Sequence, residues 1–430
     1  MPPSLLPLLR AAAGDDRLSL VGGAVRDLLL HRVHNDPWLG VPDLDLVVEP
    51  APAGEDRPPD GAADGAAAPA QQLARRLCRV VGPDGVLYLQ EHGTYGTVEL
   101  ELLLPEGPLL LDLASARREV YPQPGENPVV SFGCLSDDLA RRDFTLNAMA
   151  LQLNGDGGGA LLDPHAGLAD LAARRLRFLH GASVRDDPTR VIRGARYAAR
   201  LGFELTDDSR AQIAATLQAW PWAWSPGDLP AKAPPALATR LRMELELLLE
   251  REAWPRALAT LQRWGGLVLV DPALQVDRHW QRRLSRAARL GLPLLPALLA
   301  GAGDPLAVAE RLQLPHRQHR LLARYLALRQ RLAALPHEAT GGRHAPGSWT
   351  AAHWCELLEE PGAAPEAVAL ALAAGDGPRR PLLRWWLRWR HLRAGVSGAD
   401  LMAAEGLRPG PELGRRLRDR RWERLGAERT

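Results

Sequence analysis

Lysine is almost missing from this chain. Of 53 basic residues in 430, one is a lysine, Lys232, and the rest are arginine. A G+C-rich coding bias accounts for the skew. Its chemical effect is that nearly every cation is a planar, permanently charged fork suited to phosphate and to stacking on bases. Net charge is scarce too. The 51 acids leave a formal balance of +2, so bulk charge does not argue for nucleic acid, and such a partner would need a local basic surface. The three cysteines, Cys78, Cys134 and Cys355, lie too far apart for metal-ligand spacing, and they are expected to be reduced thiols in a cytoplasmic protein. No apolar run is long enough to span a bilayer; residues 290–299 are too few and carry prolines. The first ten residues lack the charged leader and apolar core of a signal peptide, so none is expected.

What is present has two textures. Residues 18–21 read as a strand, Gly22-Gly23 as a tight turn, 24–30 as a helix and 44–48 as a second strand. Residues 50–70, rich in Pro, Gly, Ala and Asp, read as a disordered surface insertion. A helix is expected over 71–80. Strands are expected at Tyr88, 94–102 and 109–113, the last two as a hairpin across 105–108, and a strand or helix over 146–153. From about 167 the period becomes helical, with helices over 184–201, 236–249, 254–264, 280–290, 315–335 and 351–359. Breaks near 225–235, 336–348 and 373–381 are candidate joints. The length fits two to four domains, and the fold class is an α/β head with a mixed sheet followed by an all-α remainder.

Four segments carry chemistry. In Asp43-Leu-Asp45 the two acids point to one face of a strand. Like charges held so close need a proton or a cation between them, and a hard divalent ion such as Mg²⁺, which leaves room for substrate phosphates, is the natural solution. Asp112, set among leucines, is costly unless paired or metal-bound. Three acids on adjacent strands suit two metals clamping an in-line phosphoryl displacement. Upstream, Gly22-Gly23 lets backbone approach a phosphate at the start of a helix carrying Arg26. The run Arg141-Arg-Asp-Phe-Thr-Leu-Asn147 offers Arg142 to a triphosphate and Asp143 to a ribose hydroxyl.

The fourth segment is Asp186-Asp-Pro-Thr-Arg190. Capping explains Asp186 or Asp187 and Pro188. It does not explain Asp187, Arg190, Arg193, Arg196 and Arg200, which spacings of three and four place on one helical face. An Asp–Arg pair accepts from an exocyclic amine and donates to a ring nitrogen. It can thus imitate a complementary base edge and choose C and A over U and G. The tryptophan–arginine run around Trp385 and Trp389, and Trp220, Trp222 and Trp224, read as packing rather than as base platforms.

Together these segments resemble the class II tRNA nucleotidyltransferases, the CCA-adding enzymes and their bacterial poly(A) polymerase relatives. Gly22-Gly-Ala-Val-Arg-Asp27 resembles the family's glycine motif, and Asp43/Asp45 its metal-binding pair. His92-Gly-Thr-Tyr-Gly-Thr-Val98 and Asp112-Leu-Ala-Ser-Ala-Arg117 look like the strands around the third acid. Asp138-Leu-Ala-Arg-Arg-Asp-Phe-Thr-Leu-Asn-Ala-Met149 is similar to the ribose-selecting motif. Asp186-Asp-Pro-Thr-Arg190 resembles the amino-acid template motif, with Asp where Glu is usual. Thr239-Arg-Leu-Arg-Met-Glu244 is similar to a later helix, without its leading Glu, and 396–414 resembles the tail motif. Pro42 replaces a usual basic residue.

The resemblance implies a head (1–153), a neck that reads the base (154–205), a body (206–335) and a tRNA-binding tail (336–430). It implies a cytoplasmic enzyme adding C and/or A of the 3′-terminal CCA to tRNA from CTP and ATP with Mg²⁺, releasing pyrophosphate. Asp43, Asp45 and Asp112 would be catalytic, the first two holding metal. Gly22, Gly23, Arg26, Arg142, Asp143, Asn147, Asp187, Arg190, Arg193 and Arg196 would bind nucleotide. The rivals are a CC- or A-adding enzyme, a poly(A) polymerase, and a silent RNA-binding protein on the same fold. The intact acids argue against the silent protein, and the tail motif and modest charge against the poly(A) polymerase.

Overall fold

The structure is a computed structural model that describes residues 2–38, 40, 43–51, 67–93, 96–155, 158–335, 349–360 and 364–428. Most of the expected insertion at 50–70 lies outside the described residues, as do Pro42, Thr94, Tyr95 and the break at 336–348. The chain forms two compact units: 1–225 with 234–240 and 251–266, and 226–233 with 241–250 and 267–430.

The first unit opens with α1 (Leu5–Ala13), β1 (Arg17–Val21), α2 (Gly23–His34), β2 (Asp43–Glu49) and α3 (Pro69–Val81). Strands β3 (Val86–His92), β4 (Thr97–Leu104), β5 (Gly107–Ser115), β6 (Arg117–Val120) and β7 (Val129–Phe132) follow. Then come α4 (Leu135–Ala140), β8 (Ala150–Gln152), β9 (Leu161–Leu162), α5 (Gly167–Ala172) and β10 (Arg175–Leu176). The unit continues with α6 (Ser183–Asp186), α7 (Thr189–Leu201), β11 (Glu204–Leu205) and α8 (Asp207–Ala219). Helix α9 (Thr239–Arg251) is divided between the units, and α10 (Trp254–Arg263) belongs to the first.

Seven strands form one mixed sheet in the order β3-β4-β5-β2-β1-β8-β9. Only β2 and β5 run parallel within it; the other neighbours are antiparallel. The sequence dictates which face is buried. In β4, Val98, Leu100, Leu102 and Leu104 alternate with exposed or half-buried partners, the period of a strand with one face on a core. Helix α3 covers that face with Ala70, Leu73, Ala74 and Leu77, and α1 packs on α3. The hairpin β4–β5 turns at Pro105-Glu106, inside the expected 105–108. Residues 146–153 resolve into a 3₁₀ turn (Thr145–Asn147) and β8.

The run expected as one helix over 184–201 is broken. Asp187 is extended (φ −143°, ψ 94°) between α6 and α7, as expected for the residue before a proline. Helix α7 packs on α10. Gly194 leaves room there: a Cβ would stand 3.0 Å from the Phe144 ring and 3.3 Å from Trp264. Among the described residues the second unit is helical, with long helices such as His316–Ala333 and Pro411–Gly426. Trp385 and Trp389 are buried in it, while the Arg390 guanidinium lies 3.6 Å from the ring centre of the half-buried Trp386. Trp222 and Trp224 are buried in the first unit. No helix of the described residues is long and apolar enough to cross a membrane.

Candidate active site

Strand β1 runs into Gly22, whose φ of +70° with ψ of −138° lies in a region that glycine enters far more readily than other residues. The turn is also crowded. A Cβ at Gly22 would stand 2.8 Å from Asp45 Oδ2 and 3.1 Å from Arg142 Nη1. Glycine therefore lets three elements meet: the β1–α2 turn, β2, and the segment after α4.

The acids meet through sheet register. Asp45 is the direct partner of Asp112 across the parallel β2–β5 pair, and Asp112 is the partner of Glu99 across β4–β5. Asp45, Asp112 and Glu99 thus form a row on one face, with Asp43 two residues before Asp45 on the same strand. Burial, then the charges of Asp45, Asp43 and Glu99, push the Asp112 carboxyl up to about 6. Burial and the Asp43 charge raise Asp45 as well, against the pull of Arg142 and Arg26. This is a set of carboxylates short of counter-charge, which fits a hard divalent cation. Among the described residues no group of three acids, histidines or cysteines is placed to hold a metal ion by itself, so such an ion would need water and substrate oxygens to complete its shell, the habit of Mg²⁺.

The basic side is held by buried acids. Asp138 is fully buried and accepts from Arg141 Nη2 at 2.6 Å and Arg142 Nη2 at 2.9 Å. Burial alone would raise its pKa, but Arg142 and Arg141 outweigh that and hold it below the usual range. Asp143 Oδ1 accepts from the Phe144 amide (2.8 Å) and Asn147 Nδ2 (3.1 Å), and Oδ2 pairs with Arg193 Nε at 3.2 Å. Despite burial these partners, Arg193 first, hold its pKa down. Arg26 is 3% exposed; it donates to Asn147 Oδ1 (2.9 Å) and makes a two-pronged pair with Asp27.

At the other end, Asp187 Oδ1 accepts from the Thr189 amide (3.1 Å) and hydroxyl (2.6 Å), and Oδ2 accepts from Arg240. Arg190 donates to the Ser183 and Arg141 carbonyls at 3.3 and 3.0 Å and faces the Tyr121 ring at 5.9 Å. A cleft of about 650 Å³ joins the two ends. Of the expected residues, Gly22, Gly23, Asp45, Asp112, Arg142, Asp143, Asn147, Asp187, Arg190 and Arg193 line it. Asp43 is not among the lining residues, although its charge acts on Asp45 and Asp112, and Arg26 lies behind the wall as a support for Asn147. Arg196 turns away: with Arg200 it pairs with Glu252, at 3.5 Å for Arg196. The helical face that groups Arg196 and Arg200 with Arg190 in sequence therefore divides, its first turns toward the cleft and its later ones toward α10's approach.

Lining residues to which the sequence assigned no role include Glu99, Glu119, Tyr121, Asn127, Tyr197 and Arg240. Glu99 was recoverable from the alternation of β4. Arg240 sits in a recognised segment, but nothing local says that it reaches Asp187.

A mixed sheet presenting paired acids beside a Gly-Gly turn, opposite arginines, defines a nucleotidyltransferase head. The family model described as the poly A polymerase head domain matches residues 18–177. A CC-adding tRNA nucleotidyltransferase of Deinococcus radiodurans is 37% identical over 391 residues, covering 87% of this chain and 85% of that protein. A multifunctional CCA protein of Leptothrix cholodnii is 30% identical, covering 96% of each. A CCA-adding enzyme solved in an apo form superposes with a TM-score of 0.68 at 23% identity, covering 100% of this chain and 94% of its own. The chain belongs to the tRNA nucleotidyltransferase family and is a nucleotidyltransferase.

Proposed function

We propose that this protein adds C and/or A of the 3′-terminal CCA to tRNA, using CTP and ATP and releasing pyrophosphate. One observation carries the reading: a single cleft has an Asp–Arg pair (Asp187, Arg190) at one end and the acid row at the other. The 3′-oxygen of the RNA bonds to the α-phosphorus as the bond to pyrophosphate breaks. Asp43 and Asp45, with Asp112 beside them, would hold Mg²⁺, which supplies charge neutralisation and lowers the pKa of the attacking hydroxyl. Arg142 faces the triphosphate and Asp143 the ribose. Each carboxylate oxygen has two lone pairs and each guanidinium five N–H groups. Asp187 and Arg190 therefore keep capacity for a base edge beyond their present bonds.

The sequence division into head, neck, body and tail is kept as part of this reading, as is a cytoplasmic location. A CC-only activity is the second reading, favoured by 37% identity to a CC-adding relative across most of both chains. Purified protein with Mg²⁺, three tRNAs ending before CCA, after C and after CC, and each of the four nucleotides separates the readings. Full CCA addition gives C, C and A in turn; a CC-adding enzyme stops before A. Asp45→Ala should fold and lose most incorporation, and near-normal rates in that variant would refute the metal assignment.

A further inference from the structure

A second cavity of about 550 Å³ opens in the same unit, where α7 ends. Three arginines line it: Arg210 from α8, and Arg256 and Arg263 from α10. Arg210 bonds only the Leu205 carbonyl, at 3.4 Å, and Arg263 the Thr260 hydroxyl, at 3.2 Å. Among the described residues no acid pairs with any of the three. Glu204 shares the wall without forming an ion pair, and Glu252, one turn before Arg256, is taken by Arg196 and Arg200. The contrast with the first cleft is sharp, because there Arg117, Arg141, Arg142 and Arg193 are all matched to carboxylates.

All three side chains are exposed, so water and salt screen most of their mutual repulsion, and what remains is a positive surface without a paired acid, which an anion can occupy. Arg256 Nη2 lies near Gly202, which caps the carbonyl end of α7, and Arg263 is the last residue of α10, but a helix end offers only about half a charge. The arrangement also says what kind of anion. Arg256 and Arg263 are seven residues apart on one helix, so their backbones are about 10 Å apart along the axis. Long, flexible side chains on backbones that far apart can reach neighbouring phosphates of one strand. The cavity is linked to the base-reading end by α7 itself. Gly202, on its wall, lies twelve residues beyond Arg190, about 18 Å along the helix.

We infer that Arg210, Arg256 and Arg263 form a binding site for backbone phosphates of the RNA substrate, upstream of its reacting 3′ end. The inference rests on the tRNA nucleotidyltransferase reading.

The test compares the full-length protein with two triple variants, Arg210→Gln/Arg256→Gln/Arg263→Gln and the same three positions changed to Lys. The probe is a labelled acceptor-stem RNA hairpin with a single-stranded 3′ end, titrated at several salt concentrations. The Gln variant should bind roughly tenfold more weakly near physiological salt. Its slope of log affinity against log salt should be shallower by about 2, as expected when two phosphates are no longer neutralised by the protein. The Lys variant should keep most of the slope, and the KM for RNA should rise in the Gln variant while the KM for CTP holds. Wild-type affinity and slope in the Gln variant would overturn the inference. So would unchanged RNA binding with weakened binding of pyrophosphate or CTP, which would make this a free-anion pocket. If the wild type showed the RNA effects but added no nucleotide, the active-site reading would fail and this surface would stand.

Discussion

Asp187 and Arg240 are 53 positions apart in the chain, yet the Arg240 guanidinium donates to the Asp187 carboxylate at the wall of the cleft. The acid proposed to read the base is thus oriented from two directions, by Thr189 at the start of α7 and by Arg240 from another segment. A hydrogen bond to a charged group is worth about 1.5–3 kcal/mol. Arg240→Ala should therefore raise KM for CTP and ATP by roughly 10- to 100-fold with a smaller change in kcat. Steady-state incorporation with each nucleotide checks this, and an unchanged KM would reduce the contact to scaffolding.

Gly22→Ala combines a positive φ with a Cβ 2.8 Å from Asp45 Oδ2. The backbone penalty alone is about 1–3 kcal/mol. The larger expected effect is displacement of Asp45. Thermal denaturation should show a modest loss of stability, whereas Mn²⁺ binding followed by electron paramagnetic resonance should show a large loss of metal affinity.

Asp112 predicts a pH dependence. Its folded pKa of about 6 lies above the ordinary 3.8, so the folded state binds its proton more tightly than the unfolded chain. The ionised side chain is a stability deficit present above about pH 6. It is relieved as pH falls through that value and is gone below the unfolded pKa. In chelator, Asp112→Asn should melt higher than wild type at pH 8, and the gap should close between about pH 6 and 4. A gap that widens on acidification would contradict the assignment.

Asp138→Asn removes a fully buried carboxylate shared by two arginines. Breaking a buried pair costs several kcal/mol, and roughly 3 is expected here because the arginines are partly exposed. Chemical denaturation measures the loss. Nucleotide KM should rise with it, since Arg142 loses its anchor.

The parts of the fold legible in the sequence were those written in local period. Asp43, Asp45 and the alternation of β4 announce strands, and Asp186-Asp-Pro announces a helix start. The helix Pro365–Ala374 was not legible, because it is apolar all round and buried nearly throughout, and a segment without a polar face has no phase to read. Strand order was also hidden. Nothing local says that β5 inserts between β4 and β2, so the pairing of Asp45 with Asp112 and Glu99 appears only in the sheet. Arg196 shows the opposite failure: spacing grouped it with Arg190, but the partner that claims it, Glu252, lies beyond the reach of any periodicity.

The alignment of Asp45 with Asp112 is in the end a matter of counting. The tip of the β4–β5 hairpin at Pro105-Glu106 can grow or shrink without disturbing it. One residue gained or lost inside β5 would turn Asp112 to the covered face and bring a leucine in its place, because neighbours on a strand point to opposite sides. Descendants of this protein are therefore free to vary in loop length and bound to conserve the parity of their strands.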